Sequence, residues 1–196
     1  MRPLKLTISA FGPYADKLEL DFTCLEGKNL FLIHGPTGSG KTSILDAICY
    51  ALYGETSGDV RNIKHLRSDH ADINTETKVV FEFGLGDRKY IVERSPEQNR
   101  PKLRGSGETT ADARAVLVRK QSGEETEDQI LCSRRQDVTP LIIDLLGFRI
   151  QQFRQVIMLP QGDFRKLLSG TSERSKIFET LFQTAYYSQI QNALKD

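Results

Sequence analysis

The sequence predicts an α/β fold: a mixed sheet with antiparallel strands on its N-terminal side, built around a helix that follows a glycine-rich loop, and then a helical segment. Three observations lead there. Apolar and polar residues alternate over residues 4–10 and again over 17–22, the period of half-buried strands. Leu30-Phe31-Leu32-Ile33 runs apolar without a break and leads almost at once into a segment rich in glycine. Beyond about Asp137 the apolar residues fall into pairs spaced by four, the repeat of a helix face.

Each element follows from its residues. Gly12-Pro13 reads as the turn between the first two strands. The run at 30–33 suits a central parallel strand covered on both faces. From Lys41 onward Ile44, Leu45, Ile48, Cys49 and Leu52 recur at helical spacing, and Gly54 stands where that helix ends. Residues 77–83 and 89–92 predict two strands joined through Gly84-Leu85-Gly86-Asp87. Residues 95–110 and 121–129, rich in polar and turn-forming residues, predict exposed loops on either side of a strand at 115–118. The organisation expected is an α/β lobe over 1–136, a helical segment over 137–183 and the first turns of a longer helix over 184–196.

Composition narrows the class. The 196 residues include 27 basic and 26 acidic side chains and are 38% apolar, which is globular composition and excludes disordered, collagenous and membrane-spanning chains. A formal charge of +1 excludes a globally basic nucleic-acid binder and leaves room for a local basic face. Cys24, Cys49 and Cys132 form no C-x-x-C pair, so they are expected to be reduced thiols in a cytoplasmic protein without export signal or membrane anchor.

Gly35-Pro36-Thr37-Gly38-Ser39-Gly40-Lys41-Thr42 fits G-x-x-x-x-G-K-[ST] between an apolar run and an amphipathic helix, the context a phosphate-binding loop (Walker A) requires. Backbone N–H groups of such a loop converge on phosphate oxygens, and the helix dipole favours the negative charge. Lys41 is expected to neutralise the β- and γ-phosphates of ATP, Thr42 to offer its hydroxyl to Mg²⁺, and Ser43 to reach the α-phosphate. Two look-alikes are read blandly. Leu141-Ile142-Ile143-Asp144 resembles a strand ending in a metal-binding aspartate, but Leu145-Leu146 continue a helix; Leu168-Ser169-Gly170 is broken as a signature by Thr171, and Ser172 with Glu173 suits a helix N-cap. Gln161, in the turn Leu159-Pro160-Gln161-Gly162-Asp163-Phe164 after an apolar segment, is either a surface turn residue or a polar sensor.

Taken together, the glycine loop, L-D-A-I-C-Y-A-L-Y-G-E-T at 45–56, residues 155–164 and E-R-S-K-I at 173–177 resemble the N-terminal half of the SbcC family, bacterial relatives of broken-end repair ATPases and cousins of SMC, RecN and RecF proteins. The resemblance implies an ATP-binding-cassette head split between the ends of a long polypeptide, joined through a coiled coil whose root is residues 184–196. It implies ATP and Mg²⁺ as cofactors. The implied partners are the chain's own C-terminal lobe, a second head, an SbcD-like nuclease and DNA, in a cytoplasmic, nucleoid-associated setting. Lys41 and Gln161 become the catalytic candidates, with Gln161 touching Mg²⁺ and the γ-phosphate; Arg67 and Ser68 fall where the family's next nucleotide-contacting segment lies. Where related families carry a basic residue after the phenylalanine matching Phe11, Gly12 stands here. The signature motif, metal-binding aspartate and catalytic glutamate are expected in the C-terminal lobe, outside this chain.

Two other classes fit part of the pattern. An SMC- or RecN-like tethering ATPase shares the same lobe and differs in lacking a nuclease partner. A P-loop kinase is disfavoured by the two strands that precede the loop and by the lack of an arginine-bearing lid after Asp137. Arg114, Arg119, Lys120, Arg134, Arg135, Arg149 and Arg154 are either a DNA-facing surface or ordinary solvated charges.

Overall fold

The computed structural model describes residues 1–25, 27–28, 31–57, 66–102, 106–121 and 128–156. The chain forms two units, Met1–Leu146 and Gly147–Asp196. In the first, β1 (Arg2–Ser9), β2 (Leu18–Asp21), β3 (Lys78–Leu85), β4 (Arg88–Ser95), β7 (Arg114–Lys120) and β8 (Gln129–Cys132) make a six-stranded sheet in the order β2-β1-β3-β4-β7-β8. Strands β5 (Gln98–Pro101) and β6 (Glu108–Ala111) form a separate two-stranded ribbon. Helix α1 (Lys41–Tyr53) packs on β3 and β4, and α2 (Arg135–Leu146) on β7 and α1. In the second unit the described residues contain α3 (Ile150–Val156).

Alternation built this sheet as expected. Leu6 and Ile8 of β1, Val79, Phe81 and Phe83 of β3, Val92 of β4 and Leu117 of β7 are buried, and Phe83 stacks on Phe81 at 5.6 Å and on Tyr90 at 5.5 Å. Residues between them carry ion pairs: Lys5–Glu19 at 2.7 Å, Lys78–Glu93 at 2.6 Å and Lys120–Glu82 at 3.2 Å. One face is thus apolar and the other charged, the division an antiparallel sheet tolerates when only one side is covered. Gly12-Pro13 forms the expected turn, Gly54 ends α1, and Asp144 lies within α2 rather than at a strand end.

Five expectations are corrected. Residues 31–34 form no strand, and Phe31, Leu32 and Ile33 are 52%, 82% and 37% exposed. A strand buried on both faces needs hydrogen-bonding neighbours on both edges, and none of the described strands lies beside this run. The sheet is accordingly antiparallel at every recorded pairing, not mixed. Residues 95–110 are no simple loop: they contain β5 and the start of β6, paired from Gln98↔Ala111 to Pro101↔Glu108. Finally, β8 begins at Gln129, inside the second predicted loop, and β3 and β4 extend inward so that Gly86-Asp87 alone forms the turn between them.

Phe81 is fully buried at the middle of the sheet, opposite Leu6 on one side and Val92 on the other. Phe81→Ala is expected to destabilise the unit by about 3–5 kcal/mol through lost burial and a residual cavity. Lys78→Ala, on the charged face, is expected to cost under about 1 kcal/mol. Urea unfolding of both variants checks the contrast.

Candidate functional site

The glycine loop leads directly into α1, and its backbone is bent by glycines. Gly38 and Gly40 sit at φ +88° and +87°, a region other residues adopt only with strain. Gly40 is the N-cap of α1 and offers no side chain to the helix's first N–H groups. No acidic residue stands in the first turn to compete with an anion. Lys41 folds back across the loop, its Nζ donating to the carbonyls of Gly35 at 2.9 Å and Pro36 at 2.8 Å. Thr42 is exposed at the head of the helix, while Ser43 is buried. Residues 35–39, including Thr37 and Ser39, are exposed. The site therefore brings together a lysine ammonium, an accessible threonine hydroxyl and the leading N–H groups of a helix.

The turn after β1 connects this loop to the segment at 66–68. Phe11 and Tyr14 exchange backbone hydrogen bonds of 2.9 and 3.0 Å around Gly12-Pro13, and the Tyr14 hydroxyl donates to the Gly40 carbonyl at 3.2 Å. On the other side, Gly12 N–H donates to Leu66 O at 2.8 Å and Ser68 N–H to Ala10 O at 2.9 Å. Ala10, buried, sits at φ +46° to make this crossing. Arg67 directs its guanidinium at its own loop: Nη1 donates to Thr75 O and Thr77 Oγ1 at 2.8 and 2.9 Å, and Nη2 to Asp72 O at 2.8 Å. The Ser68 hydroxyl is buried without a hydrogen-bond partner among the described residues. Arg67 and Ser68 thus approach the site through the 10–14 turn rather than by bonding to the glycine loop itself. Gln161, like the rest of 157–196 with its look-alike at 168–173 and its coiled-coil root, lies outside the described residues.

The other end of α1 is held by a residue whose role was not foreseen. Arg94, 5% exposed, donates from Nε to Ala51 O at 2.7 Å and from Nη2 to Leu52 O at 3.1 Å and Thr139 Oγ1 at 2.8 Å. The Thr139 hydroxyl in turn donates to Tyr53 O at 3.3 Å, and Gly54 N–H caps Tyr50 O at 2.8 Å. A buried guanidinium thereby satisfies carbonyls at the negative end of the helix dipole. Burial pulls its pKa down to about 10, which leaves it cationic at neutral pH, and burial pushes the neighbouring Tyr50 phenol up to about 12. The signal was present in the sequence: β4 places Tyr90 and Val92 on the apolar face, and Arg94 is the next residue of that alternation. Asp46 is a second buried polar residue of α1, accepting from the Ser57 N–H at 3.0 Å and from the Ser57 hydroxyl.

Of the seven basic residues singled out by sequence, the structure groups Arg114, Arg134 and Arg135 along a groove of about 1460 Å³ beyond the C-terminal end of α1, beside Arg94 and Tyr53. Arg119 and Lys120 are engaged elsewhere, with Gln129 and Glu82.

Arg94→Ala leaves the Ala51 and Leu52 carbonyls without this donor and is expected to cost about 2–6 kcal/mol, at ~1–3 kcal/mol for each of the two unsatisfied buried groups. Arg94→Lys is expected to recover part of that. Denaturant unfolding, with amide exchange in the last turn of α1, checks both.

Comparison with known proteins matches residues 5–196 to the AAA domain family. The chain is 50% identical over 195 residues to the C subunit of the SbcCD nuclease of Vibrio cholerae, covering 99% of this chain and 19% of that protein. It is 37% identical over 196 residues to the equivalent protein of Lactococcus lactis and 38% identical over 199 residues to that of Staphylococcus aureus, each covering 100% of this chain and 18% and 19% of the relative. The chain thus spans about a fifth of the length of these relatives. With a glycine loop at the head of α1 and a match over nearly its whole length, the chain belongs to the AAA domain family.

Proposed function

We propose that this chain is the ATP-binding N-terminal half of the head of an SbcC-type DNA-repair ATPase, which works with an SbcD-type nuclease on DNA ends and hairpins. The observation that carries the reading is the loop-to-helix junction, where Gly38 and Gly40 turn the backbone into α1 and the Lys41 ammonium, folded back over the loop, joins the first N–H groups of a helix that has no side-chain N-cap. That donor set fits a triphosphate, which offers only acceptors. Thr42, exposed in the first turn, is the hydroxyl suited to Mg²⁺, which takes oxygen ligands. Bound there, MgATP supplies the phosphoryl group; the chain's part is to clamp its charge through Lys41 and the loop amides. Gly35 to Ser43 hold the nucleotide, Arg67 and Ser68 support it from the 10–14 turn, and Gln161 reports the γ-phosphate.

Exposed Phe31, Leu32 and Ile33 support a missing neighbour: the C-terminal lobe supplies strands that cover this run. That lobe and a second head also supply the groups that orient water, so hydrolysis belongs to the assembled head and the chain alone turns over near background. Arg114, Arg134 and Arg135, exposed and without ion pairs among the described residues, support contact with DNA phosphates. The setting is cytoplasmic; among the described residues no helix is long and apolar enough to cross a membrane.

Lys41→Ala is expected to weaken MgATP binding by about 100-fold or more, the worth of a charge-assisted contact near ~3 kcal/mol. Calorimetry returning the unaltered affinity overturns the assignment. Gln161→Ala is expected to spare most of the affinity while lowering ATP-dependent head association in the full-length protein; equal losses, or none, make Gln161 an ordinary turn residue.

A further inference from the structure

We infer that Tyr14 is a positioning residue for the phosphate-binding loop, fixing the peptide plane between Gly40 and Lys41 so that the Lys41 N–H faces the bound phosphates. The inference rests on the nucleotide-binding reading above and adds to it a residue that touches no phosphate. A trans peptide is planar, with its C=O and N–H pointing in opposite directions. Whatever holds the Gly40 carbonyl therefore aims the Lys41 N–H, the first donor of α1 without a partner inside the helix.

Two groups hold that carbonyl. Ile44 N–H donates to it at 3.2 Å from within the helix, and the Tyr14 hydroxyl donates at 3.2 Å from outside. The helical bond by itself leaves the first turn free to fray, since Gly40 lies at φ +87° and makes no side-chain cap. Tyr14 also closes the space beside Gly40. A Cβ at that position would lie 2.7 Å from the Tyr14 Oη, 2.8 Å from its Cζ and 2.7 Å from Pro13 Cγ. The ring and the proline thus form a wall against the glycine, and the hydroxyl pins the carbonyl at its edge.

Tyr14 is itself fixed. Its backbone exchanges both hydrogen bonds with Phe11, and Phe11 is fully buried with its ring 6.0 Å from Tyr50 of α1. Gly12 and Ala10 tie the same turn to Leu66 and Ser68. The phenol is partly buried, which raises its pKa and keeps it a donor at neutral pH. A tyrosine rather than phenylalanine is needed because only the hydroxyl reaches the carbonyl.

The test compares Tyr14→Phe, Tyr14→Ala and Lys41→Ala in the full-length protein, titrated calorimetrically with MgATP and with magnesium tripolyphosphate, which has no base or sugar. Tyr14→Phe is expected to weaken both ligands by the same factor, about fivefold, the worth of one neutral hydrogen bond. Its unfolding midpoint is expected to fall only slightly, by no more than the loss of that one bond allows. Tyr14→Ala is expected to lose more; where it unfolds, the phenylalanine variant decides. Unchanged affinity for both ligands in Tyr14→Phe overturns the inference. So does a loss confined to MgATP, which makes the ring a base contact. Lys41→Ala separates the two levels: if it binds like the parent, the phosphate-loop reading has failed; if it loses binding while Tyr14→Phe does not, the positioning role alone has failed.

Discussion

The structure depends on holding one helix firmly by one end while leaving the other end open. On the proposed reading the N-terminus of α1 receives an anion, and its surroundings suit one: Gly40 provides no side-chain cap and the first turn carries no acid. A helix deprived of N-terminal capping gives up on the order of 1 kcal/mol. The opposite end is over-determined in compensation, with Gly54 in the left-handed conformation, Arg94 donating to Ala51 and Leu52, and Thr139 reaching Tyr53. Nine residues of the helix are buried, most of them towards this capped end. Rigidity at the C-terminal end and openness at the N-terminal end are parts of one arrangement.

The sheet gives that helix its platform. Helix α1 packs on β3 and β4, Phe81, Phe83 and Tyr90 stack along their apolar face, and Lys–Glu pairs lie on the other. The same sheet delivers both clamps: β1 ends in the turn that brings Tyr14 to Gly40, and β4 brings Arg94 to the helix's last carbonyls. Strands β1 and β4 flank β3, so the two side chains that bond to α1 carbonyls come from opposite sides of one strand.

Much of this was legible because burial is periodic. Leu6 and Ile8, and Val79, Phe81 and Phe83, announce their strands by alternation, and Gly54 announces the helix end because few other residues adopt its conformation. The ribbon of β5 and β6 was not legible. Gln98-Asn99-Arg100-Pro101 buries no apolar face, and what anchors it is the Gln98 amide bonded to both backbone groups of Thr77. The run at 31–33 shows the converse limit: its apolar character was plain, yet a strand also needs backbone partners, and those are set by chain distant in sequence. The motif placed Lys41 and Thr42 at the head of α1; alternation put Arg94 on the buried face but did not name its partners, and Tyr14 bonds to a carbonyl of another element, which no spacing encodes.

Amide hydrogen exchange on the full-length protein, with and without MgATP, reads the leading backbone N–H groups of α1 themselves. Slower exchange across residues 38–43, with the buried strands β3 and β4 unchanged, is the expected result. Exchange across 38–43 that ignores saturating MgATP would contradict it.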